Sequence, residues 1–175
     1  MSKFWYMNVL LLFTGGTISM VRDAETGALH PADIQTFKTY VPELFAGDIH
    51  VDMIPFEPLL DSSDLNPDNW RQMAQTVQQH YDAYDGFVIL HGTDTMAYSA
   101  SALSFMFDNL CKPVVFTGSQ LPVGVLRSDA KENLLTAIEI AAAYDADGKA
   151  LVPEVTVYMD GELYRGNRTT KRNAE

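Results

Sequence analysis

The chain has 175 residues, 47% hydrophobic and 20% charged, enough for one globular domain with a sizeable core. Its formal net charge of −11 argues against binding nucleic acid or an anionic membrane, since both need basic patches. Cys111 stands alone, so no internal disulfide forms; the reading is a reducing, cytoplasmic setting with Cys111 as a buried small hydrophobe.

Residues 8–13 form an apolar run that predicts a strand covered on both faces. Lys3 and this run faintly mimic a signal peptide, but the run is too short and lacks a small-residue cleavage site. No segment approaches the ~18 apolar residues of a membrane span. Thr14-Gly-Gly-Thr-Ile18 ends the strand. Its two glycines make either a tight connection or a bare turn that offers the Thr17 hydroxyl to a ligand. Residues 14–33 are then a long connection with a polar turn at 22–27, read equally as a lid over a ligand or as a surface hairpin.

A short helix is expected at 34–40 and a second strand at 50–54, ended by Pro55 and Pro58. Asp61-Ser-Ser-Asp64 follows as a polar loop. Asn66-Pro67 has the pattern of an N-cap with proline at the first helical position. Trp70, Met73, Val77 and Tyr81 lie on one face of the helix that follows, a core stripe.

A third strand at 87–90 breaks off into His91-Gly-Thr-Asp-Thr95. Gly92 permits a sharp turn and close backbone approach. Thr93 and Asp94 set a hydroxyl beside a carboxylate; the competing reading of that pair is a helix N-cap. His91 is read as a satisfied structural histidine. A helix over 98–109 is expected to turn Ala102, Leu103, Phe105 and Met106 inward. Residues 114–116 are strand four, and 117–122 form its polar loop. A helix over 129–144 buries Leu134, Ile138 and Ala141. Residues 155–159 are strand five, Asp160-Gly161 a turn, and Leu163-Tyr164 the start of a hairpin return. A polar segment, 165–171, follows.

Strands and helices alternate, which implies an α/β fold: a mostly parallel sheet with helices on both faces, in Rossmann- or flavodoxin-like layering. The polar loops at 14–17, 61–64, 91–95 and 117–120 all follow strands. Ligands bind at the carboxyl ends of strands in such sheets, so Thr17, Thr93 and Asp94 are expected in one crevice. Threonine is a weak nucleophile and needs a base or cation nearby. Lys171 is the first candidate, with Lys131 and Lys112 as alternatives. His30, His50 and His80 show no metal-ligand spacing, so no metal is expected. Gly15-Gly16 fits neither a dinucleotide nor a P-loop fingerprint, and no cofactor is expected. Arg127 and Arg165 are expected to pair with surface carboxylates.

Six stretches together resemble one family: FTGGTI at 13–18, LLDSSD at 59–64, DGFVILHGTDTMAYSASALSF at 85–105, TGSQ at 117–120, LRSDAKENL at 126–134 and YRGNRTTK at 164–171. They are similar to the bacterial type I (cytoplasmic) L-asparaginases. The resemblance implies hydrolysis of the side-chain amide of L-asparagine to L-aspartate and ammonia. It implies that Thr17 attacks the amide carbon to form an acyl-enzyme, while Thr93, Asp94 and Lys171 relay protons and activate water. Backbone N–H groups near Thr93 would help stabilise the oxyanion. Asp61, Ser62, Ser63, Gly92 and Ser119 would bind substrate: Ser62 and Ser63 at the α-carboxylate, Asp94 at the α-ammonium, Ser119 at the amide end through its backbone. It further implies a homodimer or homotetramer for the full-length protein, a site completed by a neighbouring subunit, and regulation by asparagine at a second site near Thr170.

Two departures stand out. Relatives often carry a tyrosine on the loop near Thr17; the corresponding Gly27-Ala-Leu-His-Pro31 has none. Relatives also continue into a smaller C-terminal domain, so 1–175 reads as the N-terminal catalytic domain with that second domain absent. Two alternatives stay open: deamidation of glutamine or another amide, as in the related subunit of the tRNA-dependent amidotransferase, and a non-catalytic amino-acid-binding or oligomerisation domain.

Overall fold

The computed structural model describes residues 6–23, 26–45 and 47–173. Lys3, and Ala24 and Glu25 of the expected polar turn, lie outside the described residues. Six strands form one sheet: β1 (Met7–Gly15), β4 (Ile49–Leu60), β5 (Gly86–Leu90), β6 (Val114–Thr117), β7 (Val155–Met159) and β8 (Glu162–Arg165). Their order is β4-β1-β5-β6-β7-β8, with every pairing parallel except β7 with β8. The apolar runs that announced strands in the sequence are the central ones. Val9 to Phe13 and Phe87 to Leu90 are buried on both faces because helices cover both.

Odd and even positions divide the core. Val9, Leu11, Phe13, Val88, Leu90 and Val115 point to one layer, against Phe37 of α1 (Ile34–Tyr40) and Leu134, Ala137 and Ile138 of α4 (Ala130–Ala141). Leu10, Leu12, Phe87, Ile89 and Phe116 point to the other, against Met73 and Val77 of α2 (Pro67–Gln79) and Ala100 and Leu103 of α3 (Met96–Met106). The expected α/β architecture with two helical layers is therefore the observed one. No helix among the described residues is long and apolar enough to cross a membrane.

Several expectations need correction. Pro55 and Pro58 do not end the second strand, which runs on to Leu60. It is an edge strand with a partner on one side only, so a residue without an N–H can sit in it without breaking the ladder. Of the two readings of the long connection after β1 the hairpin is the one observed, β2 (Met20–Arg22) pairing antiparallel with β3 (Leu29–Pro31). Helix α3 starts at Met96 and ends at Met106, and its inward face is Met96, Ser99, Ala100 and Leu103. Phe105 is 78% exposed and Met106 also lies open, because both fall off the face that the spacing 96, 100, 103 defines. Helix α4 stops at Ala141. Cys111 is exposed rather than buried: it lies in the loop after α3, its N–H donating to Tyr81 Oη and its thiol to Asn109 O. Arg165 pairs with Glu154 at 3.2 Å, while Arg127 forms no ion pair among the described residues.

Candidate functional site

The carboxyl ends of β1, β4, β5 and β6 meet at one edge, and each delivers a polar loop there. β1 ends in Gly15 (φ 134°) and Gly16 (φ 86°), followed by one 3₁₀ turn, Thr17–Ser19. Ser19 fastens that turn by donating its hydroxyl (2.7 Å) and N–H (3.1 Å) to Gly16 O. Gly16 lies so close to the β5 loop that a Cβ added there would stand 2.5 Å from Gly92 N. The close approach of two backbones brings Thr17 and Thr93 to one cleft.

After β4, Asp61 caps the turn Ser62–Asp64 by accepting the N–H and hydroxyl of Ser63, each at 2.9 Å. The Ser63 N–H first, and its hydroxyl second, hold the Asp61 carboxyl below its usual range. Ser62 is buried, and its carbonyl accepts the Thr95 hydroxyl at 2.6 Å, which ties the β4 loop to the start of α3. A Cβ on Gly92 would come within 2.4 Å of Ser62 Oγ, so glycine is required at 92.

Lys171 Nζ donates to Thr93 Oγ1 and to Asp94 Oδ1, both at 2.8 Å. Thr93 and Asp94 are neighbours in sequence, and Lys171, 78 residues from Thr93, reaches them because the segment after β8 returns over α3. The competing lysines are engaged elsewhere. Lys131 pairs with Glu43, and Lys112 donates to the carbonyls of Tyr81 and Tyr84 while lying 4.8 Å from the Tyr81 ring centroid. The Thr93-Asp94 pair is not a helix cap: Thr95 occupies the cap position and its hydroxyl goes to Ser62. With Thr93 Oγ1 accepting from an ammonium, the Thr93 hydroxyl hydrogen is left to be donated to something else.

Thr17, Asp61, Ser62, Gly92, Thr93 and Asp94 line one cleft of about 310 Å³, large enough for a small amino acid. Pro31 of β3 lines one side. Ser63 turns back to Asp61. Ser119 is not on the lining; it is 1% exposed and its hydroxyl donates to Leu121 O at 2.5 Å. Its loop still abuts the site, since Gly118 packs against His91 O and the Thr93 methyl. A second cavity of about 480 Å³ lies beyond Thr93 and Lys171, lined by Arg127, Tyr164 and Thr170 among others.

The sequence reading missed the residues that hold these loops. Asp129 accepts the N–H groups of Gln120 (2.9 Å) and Leu121 (3.1 Å), and Asn133 donates to Gly118 O at 3.0 Å. The available signal was an asparagine on the buried stripe of a helix, one turn after an aspartate. Thr14 donates to Leu90 O at 2.5 Å, joining the ends of β1 and β5. His91 is the satisfied structural histidine expected, buried and bonded at both nitrogens.

The family profile described as "Asparaginase, N-terminal" matches residues 8–175. L-asparaginase 1 of Escherichia coli (strain K12) is 47% identical over 169 residues, covering 96% of this chain and 48% of the relative. The L-asparaginase of Dirofilaria immitis is 43% identical over 189 residues, covering 94% and 31%. The crystal structure of L-asparaginase I from Vibrio cholerae O1 biovar eltor superposes with a TM-score of 0.85 at 43% identity, covering 97% of this chain and 49% of that one. The chain thus spans about half the length, or less, of these relatives.

Proposed function

The chain belongs to the asparaginase family, as its N-terminal domain, and from that premise we propose that it is the catalytic domain of an amidohydrolase that cleaves the side-chain amide of L-asparagine. One observation carries the reading: Lys171 Nζ bridges Thr93 Oγ1 and Asp94 Oδ1 at 2.8 Å each, at the rim of the cleft that also holds Thr17 and Ser62. The lysine side chain is only 24% exposed there, which sets it apart from an ordinary surface pair.

The chemistry runs in two halves. Thr17 Oγ1 attacks the amide carbon, its proton is taken up by Thr93 Oγ1 as Thr93 passes its own hydrogen on to the amide nitrogen, and the carbonyl oxygen becomes an oxyanion. The tetrahedral intermediate expels ammonia, which needs a proton on nitrogen. Thr93 supplies it, since its hydroxyl hydrogen is free while its oxygen accepts from Lys171. The resulting ester on Thr17 is hydrolysed by water, whose proton passes through Thr93 Oγ1, held by the Lys171 ammonium, to Thr17 Oγ1, which regenerates Thr17 and releases aspartate. Asp94 keeps Lys171 in place and offers a carboxylate oxygen to the substrate ammonium. Ser62 faces the α-carboxylate with its hydroxyl. A zwitterion needs a carboxylate at one end and hydroxyl or N–H donors at the other, and the two loops provide one each.

A dimer or tetramer completed by a second domain, a cytoplasmic location, and regulation through the 480 Å³ cavity beside Thr170 belong to the same proposal. The test is ammonia release from asparagine and glutamine, in the chain as given and joined to the second half of a relative. Turnover of asparagine that Thr17→Ala abolishes, with unfolding temperature unchanged, supports the reading. Near-native rates in that variant remove Thr17 as nucleophile. Faster release from glutamine changes the substrate, and calorimetric binding of asparagine without turnover in either form leaves a binding domain.

A further inference from the structure

β5 runs into a histidine that lines neither cavity. His91 is 1% exposed and stands edge-on to Phe116, ring centroids 5.6 Å apart. Its Nδ1 lies 2.6 Å from Gly92 O and its Nε2 lies 2.8 Å from Ser99 Oγ. Ser99 is itself 2.9 Å from Trp70 Nε1.

The directions of these hydrogen bonds are forced. An indole N–H only donates and a carbonyl oxygen only accepts. Ser99 therefore accepts from Trp70 and has its own hydrogen for His91 Nε2, and His91 donates from Nδ1 to Gly92 O. The opposite tautomer would set a nitrogen lone pair against the Gly92 oxygen at 2.6 Å. The imidazolium would be a charge in a site from which water is excluded.

Gly92 O belongs to the peptide that joins Gly92 to Thr93. In a trans peptide the C=O and N–H point opposite ways. With the oxygen drawn toward the buried ring, the Thr93 N–H turns to the other side, where Gly92 and Thr93 border the cleft. Among the described residues that N–H has no acceptor. A glycine must precede it, because Ser62 leaves no room for a side chain. Glycine also leaves the peptide free to rotate, so something else has to hold it.

We propose that His91, oriented by Ser99 and Trp70, is a positioning residue that locks the Gly92–Thr93 peptide so that the Thr93 N–H stays aimed into the cleft, ready for the substrate oxygen as it takes up negative charge. This rests on the amide-hydrolysis reading. The histidine touches no substrate; it acts through one peptide plane.

Two isosteric halves of the imidazole test it. His91→Asn places an amide nitrogen near the Nδ1 position and keeps the bond to Gly92 O. His91→Gln places it near Nε2 and loses that bond. Both remove the ring and are expected to lower the unfolding temperature alike. H91Q is expected to reduce kcat for asparagine by about 10²-fold, the effect of losing one oxyanion donor, with KM nearly unchanged because the donor acts in the transition state. H91N is expected to recover kcat to within about tenfold of wild type. Equal losses in the two variants, tracking their stability, overturn the proposal and leave a packing role. So does a ¹⁵N spectrum of wild type that places the His91 ring hydrogen on Nε2. If wild type releases no ammonia from asparagine, the amide-hydrolysis reading fails separately. The positional claim is then decided by the Thr93 amide resonance, which must shift in H91Q and hold in H91N; the same response in both overturns it.

Discussion

Replacing Gly16 with alanine tests the geometry on which the site depends. Gly16 has φ 86° and ψ 173°, a region open essentially to glycine alone, and holding another residue there costs roughly 1–3 kcal/mol. The added Cβ would also stand 2.5 Å from Gly92 N, 2.6 Å from Gly92 Cα and 2.8 Å from the His91 carbonyl carbon. All three are backbone atoms in the loop after a buried central strand, so none can swing aside. The β1 and β5 loops must part by roughly 1 Å to restore an ordinary contact. That movement separates Thr17 from Thr93, and a misplacement of this size costs about 10²-fold in rate. Strain and displaced contacts together amount to ~2–4 kcal/mol. At about 2–4 °C per kcal/mol for a chain this long, the unfolding temperature falls by ~4–16 °C. The assay is calorimetric unfolding beside ammonia release measured well below the transition. Gly148 is the control: it has φ 77° and nothing within 4 Å of an added Cβ, so Gly148→Ala lowers stability by strain alone and leaves turnover untouched. A G16A variant with native turnover and native stability refutes the argument that two backbones in contact define the site.

Lys171→Met removes the hydrogen bonds to Thr93 and Asp94 and is expected to lower turnover by ~10²–10⁴-fold, the range of a general acid–base group. Its stability cost stays under ~1 kcal/mol because the Asp94 side chain is 68% exposed. Lys131→Met loses only the surface pair with Glu43 and should turn over as wild type; parallel rate measurements on both variants decide whether the lysine assignment holds. Among the described residues Thr156 Oγ1 is buried with no hydrogen-bond partner, so Thr156→Val is expected to raise stability by ~1 kcal/mol, read as a higher urea midpoint at unchanged m-value. Burial pushes the His91 pKa down from 6.5 to about 4, with the bond to Gly92 acting weakly the other way. Between those values the unfolded chain binds a proton that the native chain does not. Stability is therefore full above pH 6.5 and falls as pH drops toward 4, by up to ~1.4 kcal/mol per pH unit. Urea unfolding at pH 7.5 and 5.5 should show that loss in wild type and not in His91→Asn; an equal loss in both assigns it to other groups.

Local chemistry was enough to read most of the architecture. Runs such as Val9–Phe13 and Phe87–Leu90 read as central strands, because they are too short for a buried helix and break off into glycine-containing polar loops. Asn66-Pro67 announced its helix because the cap forms within three residues, and the observed capping box with Asn69 is equally local. The clustering of Thr17, Ser62 and Thr93 followed from polar loops on parallel strands, which share one edge by construction. The motifs carried the family as well.

Elsewhere the partner lay far along the chain, and only the folded molecule could name it. Pro55 looks like a strand end until β4 is seen to have a neighbour on one side only. Phe105 and Cys111 look buried until the helix axis and the loop after it are placed. Composition left Lys171, Lys131 and Lys112 open and the motif resemblance pointed to Lys171; the bonds themselves come from the return of the 165–171 segment over α3, which sets Lys171 on Thr93, 78 residues away, and leaves the others to Glu43 and two carbonyls. The backbone contact of Gly16 with Gly92 and the bond from His91 to the Gly92 carbonyl are of the same kind. Secondary structure and the two-layered α/β class come from interactions within a few residues and from the burial of side chains, both written in the sequence, whereas the strand order rests on pairings tens of residues apart. The orientation of a single peptide or ammonium depends on distances of a few tenths of an ångström between segments, and these exist only once the layers have packed.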